Sequence, residues 1–271
     1  MPYTLNIRGQ LLDLGTPRVM GIINATPDSF FCDSRTEAPD DVAQRAQAMV
    51  SEGATLIDIG GCSTRPGATP AGAGEEMARL RQAVPVVRRN HPDVVISVDT
   101  FRPDVARMAV EELGADMVND VSGGSAEMYR MVARLSVPYV LTSVEADLRQ
   151  TLLAFAQKVQ QLRDYGQKDI LLDPGFGFGK TVEQNYALLG ELQKLHVVGL
   201  PLLVGISRKS MIWRQLDCTP REALNGTTVL NTVALLKGAS VLRVHDVRQA
   251  AECIQLVTTI KENSSCFSFS E

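Results

Sequence analysis

Eight short apolar runs rich in β-branched residues, at positions 19–23, 55–59, 94–98, 116–121, 138–144, 169–172, 201–206 and 240–244, recur every few tens of residues and constrain this chain more than anything else in it. Each is too short and too uniformly apolar for an amphipathic helix, and strands buried on both faces read this way. Helical spacing fills the intervals, over 41–52, 75–89, 103–113, 126–135, 148–165, 183–194, 220–237 and 247–261. Gly53-Ala54, Gly114-Ala115 and Gly238-Ala239 sit where a helix must stop just ahead of a strand, a place that suits a glycine C-cap. Alternation with no break in composition predicts an α/β fold, a single (β/α)8 TIM barrel domain over 1–271 with the barrel proper at about 15–262. Residues 3–14, turning at Arg8-Gly9-Gln10, read as a short N-terminal β-hairpin that plugs the barrel's bottom. A doubly wound open sheet is the competing arrangement.

Composition narrows the function more than the fold. A formal charge of -4 leaves no electrostatic footprint for nucleic acid, so an anionic ligand must be met by a local cluster. No apolar stretch approaches the roughly 20 residues of a membrane span, and the opening Met1-Pro-Tyr-Thr-Leu5 lacks the basic and apolar regions of a secretory signal. A cytoplasmic protein without membrane partners is expected. Five scattered cysteines without a C-x-x-C pair argue against both a disulfide framework and a zinc site, and Cys62 reads as loop packing. The small-residue stretch 67–74 after the second run is expected to act as a mobile lid, and the Ser-rich tail 263–271 to be frayed.

In a barrel, the loops leaving the C-terminal ends of the strands converge on one rim. The polar residues at those exits are Asn24, then Ser63-Thr64-Arg65, Asp99, Asn119 with Asp120, then Thr142, Ser143 and Glu145, Asp173, Arg208-Lys209-Ser210, and Arg243 with His245. Asp99, Asn119 and Asp173 can match the N–H donors of a flat amino-oxo heterocycle, because a carboxylate accepts two parallel N–H bonds. Asp99 alone could equally be a helix cap ahead of Pro103. Lys209, just past a buried strand, needs a carboxylate or a ligand beside it. Residues 207–210 also open a helix, whose unpaired N–H groups favour an anion. Arg243 and His245 alternate across Val244 and so point to one side, as a clamp for diphosphate would. His91 and His196 read as ordinary loop residues.

Two tempting motifs fail. Gly179-Lys180-Thr181 looks like the end of a P-loop, but Pro174 occupies the place of its first glycine, and Gly175, Gly177 and Gly179 do not make G-x-G-x-x-G. Neither supports an ATPase or a dinucleotide enzyme.

Read together, Asn24-Ala-Thr-Pro-Asp-Ser-Phe30, Asp58-Ile-Gly-Gly-Cys-Ser-Thr-Arg-Pro-Gly67, Ser97-Val-Asp-Thr100, Asn119-Asp-Val-Ser-Gly-Gly124, Asp173-Pro-Gly-Phe-Gly-Phe-Gly-Lys-Thr181, Ser207-Arg-Lys-Ser210 and Arg243-Val-His-Asp246 resemble the dihydropteroate synthases, in order and over nearly the whole chain. The resemblance implies a folate-pathway transferase that joins (7,8-dihydropterin-6-yl)methyl diphosphate to 4-aminobenzoate. It further implies a (β/α)8 barrel, a homodimer, dependence on Mg2+ and a place among the targets of sulfonamides. Carried over residue by residue, Asn24 would ligate Mg2+ on the diphosphate, and Thr64, Arg243 and His245 would bind the diphosphate itself. Asp99, Asn119, Asp173 and Lys209 would line the pterin pocket, while Arg65, Pro66, Phe178 and Ser210 would shape the aminobenzoate site. Arg243→Ala is then expected to weaken the diphosphate substrate and to spare pterins without diphosphate.

Three places depart from the family's pattern. Where the family usually has a Met-His-Met-like run on the fifth strand, Leu141-Thr-Ser-Val-Glu-Ala146 stands, so Thr142 or Val144 replaces a polarizable methionine at the pterin face. In the first loop Phe31-Cys-Asp-Ser34 shifts the acidic residue, Asp33, by one place; if it stabilises a developing cation, the shift would act on rate more than on binding. Cys62 stands where a longer polar residue is usual. A pterin-binding paralog that does not condense its ligand, and a pterin-dependent methyltransferase on the same barrel, are the rival readings.

Overall fold

The computed structural model describes residues 3–25, 38–62 and 71–264. An antiparallel hairpin, β1 (Thr4–Ile7) and β2 (Gln10–Asp13), precedes eight parallel strands: β3 (Arg18–Asn24), β4 (Leu56–Gly60), β5 (Val95–Asp99), β6 (Met117–Asp120), β7 (Tyr139–Thr142), β8 (Ile170–Asp173), β9 (Leu203–Val204) and β10 (Val241–Val244). Their order is β8-β7-β6-β5-β4-β3-β10-β9, and a parallel bridge between Leu172 and Leu202 joins the two ends. That bridge closes a barrel and excludes the open sheet.

Among the described residues, nine α-helices stand outside the strands: α1 (Ala38–Ser51), α2 (Ala73–Asn90), α3 (Pro103–Glu111), α4 (Ala126–Leu135), α5 (Leu148–Asp164), α6 (Val182–Gly190), α7 (Ser210–Gln215), α8 (Leu224–Leu236) and α9 (Val247–Glu262). The single helix expected over 183–194 divides at Glu191 into α6 and a 3-10 segment, Leu192–Val198. Gly53, Gly114 and Gly238 adopt positive φ after α1, α3 and α8, where the chain must leave a helix and turn into a strand. No described helix is long and apolar enough to cross a membrane.

Strand periodicity divides the core in two. Outward residues such as Ile57, Ile59, Val98, Leu141, Leu172 and Val244 pack against the helices. Inward residues at the bottom, one from each barrel strand, form a second cluster: Met20, Leu56, Val95, Met117, Val140, Leu171, Leu203 and Val241. Leu5, Ile7 and Leu14 of the hairpin segment complete that cluster, so the hairpin is the plug the sequence implied. It is also latched from outside. Arg8 pairs with buried Asp116 at 3.1 Å and donates to the Pro92 carbonyl at 3.0 Å.

Candidate functional site

Side chains two residues apart share a strand face, so the bottom ring fixes what lies above it. From Leu56, Val95, Met117, Val140, Leu171, Leu203 and Val241, one step up reaches Asp58, Ser97, Asn119, Thr142, Asp173, Gly205 and Arg243, while Met20 leads to Ile22, the one apolar side chain at this level. On β5 the barrel's tilt brings Asp99 into the same ring, since Asp99 and not Ser97 is in register with Asn119. The mouth of this barrel is therefore a buried polar ring standing directly on an apolar one. Of the residues expected on the rim, Asp99, Asn119, Asp173, Lys209 and Arg243 do converge there.

Arg243 holds one side of the ring. Its Nε donates to Asp58 Oδ2 at 2.7 Å and its Nη2 to Asp99 Oδ2 at 2.8 Å. Asn119 Nδ2 donates to the same Asp58 oxygen at 2.9 Å. Burial pushes the Asp99 carboxyl up to about 7, against the pull of Arg243 and with help from Asp58, Asp120 and Glu76. Two committed donors mean that Arg243 is an internal bracket as well as a cation facing the mouth. Asp58 opens one of the sequence motifs but has no role assigned to it there. A signal existed, since a lone carboxylate in the run Leu56-Ile-Asp-Ile-Gly60, two places after an inward leucine, has to face the barrel interior.

The opposite side is built from the β8–α6 loop. Asp173 Oδ1 accepts from Gly175 N–H at 2.8 Å, and burial pushes this carboxyl up while Lys209 pulls it down. Lys209 Nζ donates to the Phe176 carbonyl and lies 4.6 Å from the centre of the Phe178 ring. Burial lowers its ammonium to about 8, opposed by Asp173. Lys180, the residue of the failed P-loop, donates to the carbonyls of Gly175 (3.1 Å), Ser143 (3.3 Å) and Phe178 (3.3 Å), tying the exits of β7 and β8 together. Gly175 must be glycine here. Its φ is +72°, and a Cβ would lie 1.8 Å from the Ser143 carbonyl oxygen.

Other expected residues fall into place less simply. Burial, reinforced by Arg243, lowers His245 to about 4, so at neutral pH it offers a hydrogen bond and no charge. Its backbone N–H donates to Ser207 Oγ at 3.2 Å, which joins the β9 and β10 exits. Arg208 does not enter the mouth: at φ +54° it turns away and forms a two-pronged bond to Asp246, 2.8 Å on each prong. Asp120 also points outward, accepting from Ser122 Oγ at 2.6 Å and Tyr139 Oη at 2.9 Å. Lys209 serves as the N-cap position of α7, whose first residue is Ser210. His196, expected in a loop, lies in the 3-10 segment, its Nε2 3.1 Å from the Lys237 carbonyl oxygen. Asp33, Thr64, Arg65 and Pro66 lie outside the described residues, as do 67–70 of the expected lid and 265–271 of the tail. Cys62 is buried and, with Cys218 and Cys253, forms no disulfide among the described residues.

Among the described residues, no three His, Cys, Asp or Glu side chains form a cage for a metal ion. Asn24 is in register with Gly60, and its Oδ1 would be 3.8 Å from a Cβ placed there, on the same glycine that Asp99 borders. Mg2+ keeps several waters and binds through one or two protein oxygens plus substrate phosphates. Asn24 offers one such oxygen, and the described residues add no cage of carboxylates around it.

Residues 20–245 match the family described as pterin binding enzyme. The dihydropteroate synthase of Escherichia coli strain K12 is 38% identical over 275 residues, covering 94% of this chain and 97% of that one. The dihydropteroate synthase of Xanthomonas albilineans, solved with 4-aminobenzoic acid, superposes with a TM-score of 0.90 at 35% identity and covers 97% of this chain and 100% of its own. Its complex with 7,8-dihydropteroate superposes with a TM-score of 0.88 at 31% identity, with the same coverage.

Proposed function

Because the chain belongs to the pterin-binding enzymes, and among them to the dihydropteroate synthases, we propose how its rim divides the labour of that reaction. The reaction is an alkyl transfer to an arylamine in folate synthesis. The methylene–oxygen bond of (7,8-dihydropterin-6-yl)methyl diphosphate breaks, a carbon–nitrogen bond to 4-aminobenzoate forms, diphosphate leaves with the bonding electrons and the arylamine gives up a proton. The observation that carries the assignment of roles is the ring itself: Asp99, Asn119 and Asp173 in one belt with Lys209 and Arg243.

Asp173, oriented by Gly175, accepts the paired N–H groups of the 2-amino-pyrimidinone edge, and Lys209 meets the ring carbonyl. Asn119 is turned by Asp58 so that its amide oxygen faces the ligand, and Asp99 adds a second acceptor. Arg243, neutral His245 and Thr64 hold the diphosphate, while Arg65, Pro66, Phe178 and Ser210 form the aminobenzoate side. Asn24 would hold Mg2+ on the diphosphate, where the ion would supply compensation for the charge of the leaving group. Loss of diphosphate leaves a cation that the pterin ring spreads, so charge compensation at the leaving group matters more than a strong base. A neutral aniline needs no activation, which accounts for the absence of a Ser-His or Cys-His pair among the described ring residues. Asp33 is the remaining carboxylate assigned to the cation.

The active unit is a homodimer in the cytoplasm. Supporting the dimer, α8 and α9 pack on each other and leave Val229, Leu236, Leu256 and Ile260 exposed, a concentration of apolar surface that a second copy would cover. Incubation with the pterin diphosphate, 4-aminobenzoate and Mg2+ should yield dihydropteroate and diphosphate in equal amounts, with both lost on chelation of the metal. Tight pterin binding without either product would favour the non-condensing paralog.

A further inference from the structure

We infer that Thr142 is a specificity-determining residue whose hydroxyl hydrogen-bonds the edge of the bound heterocycle, an inference that rests on the pterin reading above. Thr142 is fully buried, at 0% exposure, yet its Oγ1 has no hydrogen-bond partner among the described residues. A buried hydroxyl left without a partner costs about as much as a lost hydrogen bond, so such groups are almost always satisfied by something. Its direction is set by the strand. Val140, two residues earlier, belongs to the inward bottom ring, while Tyr139 and Leu141 pack outward, so Thr142 faces the mouth. There it is in register with Asp173 on β8, and Asn119, which stands opposite Val140 on β6, lies diagonal to it, its Oδ1 likewise buried without a partner.

The two branches of the threonine are not equivalent. Its γ-methyl lies 3.2 Å from where a Cβ on Gly175 would be, against the backbone of the β8–α6 loop. With the methyl placed there, the hydroxyl is the branch left to meet a ligand. Of the other orphaned atoms at this level, Asn119 Oδ1 and Asp58 Oδ1 accept, as does Asp99 Oδ1 when ionised, while the Ser97 hydroxyl is set on β5. Thr142 can donate from β7, so beside Asp173 it supplies what an acceptor nitrogen on the ring edge requires and what the Asn119 oxygen lacks. A ligand presenting only N–H donors on that edge would gain little from it.

Calorimetric titration of the full-length protein with 6-hydroxymethyl-7,8-dihydropterin and with its diphosphate tests this directly. Thr142→Val keeps the branched shape and removes the hydroxyl, and should weaken both ligands by about five- to tenfold. Thr142→Ser keeps the hydroxyl and should stay within about twofold of the parent. In turnover, the Val variant should raise KM for the pterin substrate and leave kcat nearly unchanged, because the contact is made before and during bond breaking alike. If the parent binds the pterins and the Val variant binds them equally well, the hydroxyl makes no contact and the inference is overturned alone. Equal losses in Val and Ser variants would overturn it too, assigning the effect to packing. Failure of the parent to bind either pterin would overturn the pterin reading and this inference with it.

Discussion

The two rings inside this barrel are one pleat step apart, about 6.6 Å along each strand, and could hardly differ more. The lower is Met, Leu, Val, Met, Val, Leu, Leu and Val, sealed by three hairpin side chains. The upper carries Asp58, Asn119, Thr142, Asp173 and Arg243, joined by Asp99. Both are buried and both ride on the same backbone, so the difference lies wholly in the side chains. The lower ring contributes hydrophobic stabilisation that asks nothing of a ligand. In the upper ring, buried acceptors and a threonine hydroxyl remain unpaired among the described residues, a cost to the fold that ligand binding would offset.

The sharpest way to break this contrast is to remove the cation of the upper ring. Arg243→Ala leaves Asp58 and Asp99 buried without their partner and should cost about 3 to 5 kcal/mol of stability by urea unfolding. Pterins should weaken whether or not they carry diphosphate. The sequence alone leads to the expectation that only the diphosphate ligand suffers; the bond from Arg243 to the acceptor Asp99 is the reason to expect a loss for both, and the two titrations decide between them. The matching change below, Leu56→Ala, should cost about 2 to 5 kcal/mol and leave the Kd of folded protein for pterin unchanged. A loss of affinity from Leu56→Ala would show that the rings are not separable.

Much of this was legible beforehand for a simple reason. Strand–helix alternation and period-2 placement are local properties, so the barrel, the plug and the convergence of Asp99, Asn119, Asp173, Lys209 and Arg243 follow from short stretches of chain. Pairings are not local. Lys180 binds carbonyls from two loops, and Arg208 spends its charge on Asp246, 38 residues away, so neither role could be read from neighbouring residues. Asp58 lies between these cases, visible as an inward carboxylate but not as Arg243's partner.

Titration sharpens the contrast, since only the upper ring ionises. Asp99 accepts from the ligand most strongly when ionised, so function is gained as pH rises through about 7. Lys209 must be protonated to donate, so function is lost as pH rises through about 8. The pH profile of kcat/KM should be a narrow bell between those values, and Lys209→Arg should abolish its alkaline limb while Leu56→Ala moves neither limb. The smallest effect belongs to the rim above both rings. Val144 is 41% exposed, against full burial of Thr142 two residues before it, so the rim is where a longer side chain can enter without displacing the ring. Val144→Met should strengthen pterin binding by about 0.3 to 1.5 kcal/mol through a sulfur–aromatic contact, with kcat unchanged.

The most direct test of the central claim is a crystal structure with the pterin diphosphate bound. The heterocycle should lie flat on the upper ring, with Asp99, Asn119 and Asp173 each within about 3.2 Å of a ring-edge atom and the diphosphate toward Arg243 and His245. Density for the ring elsewhere, such as the cleft of about 290 Å³ beside Arg18, Thr55 and Ile254 at the opposite end of the barrel, would contradict the account.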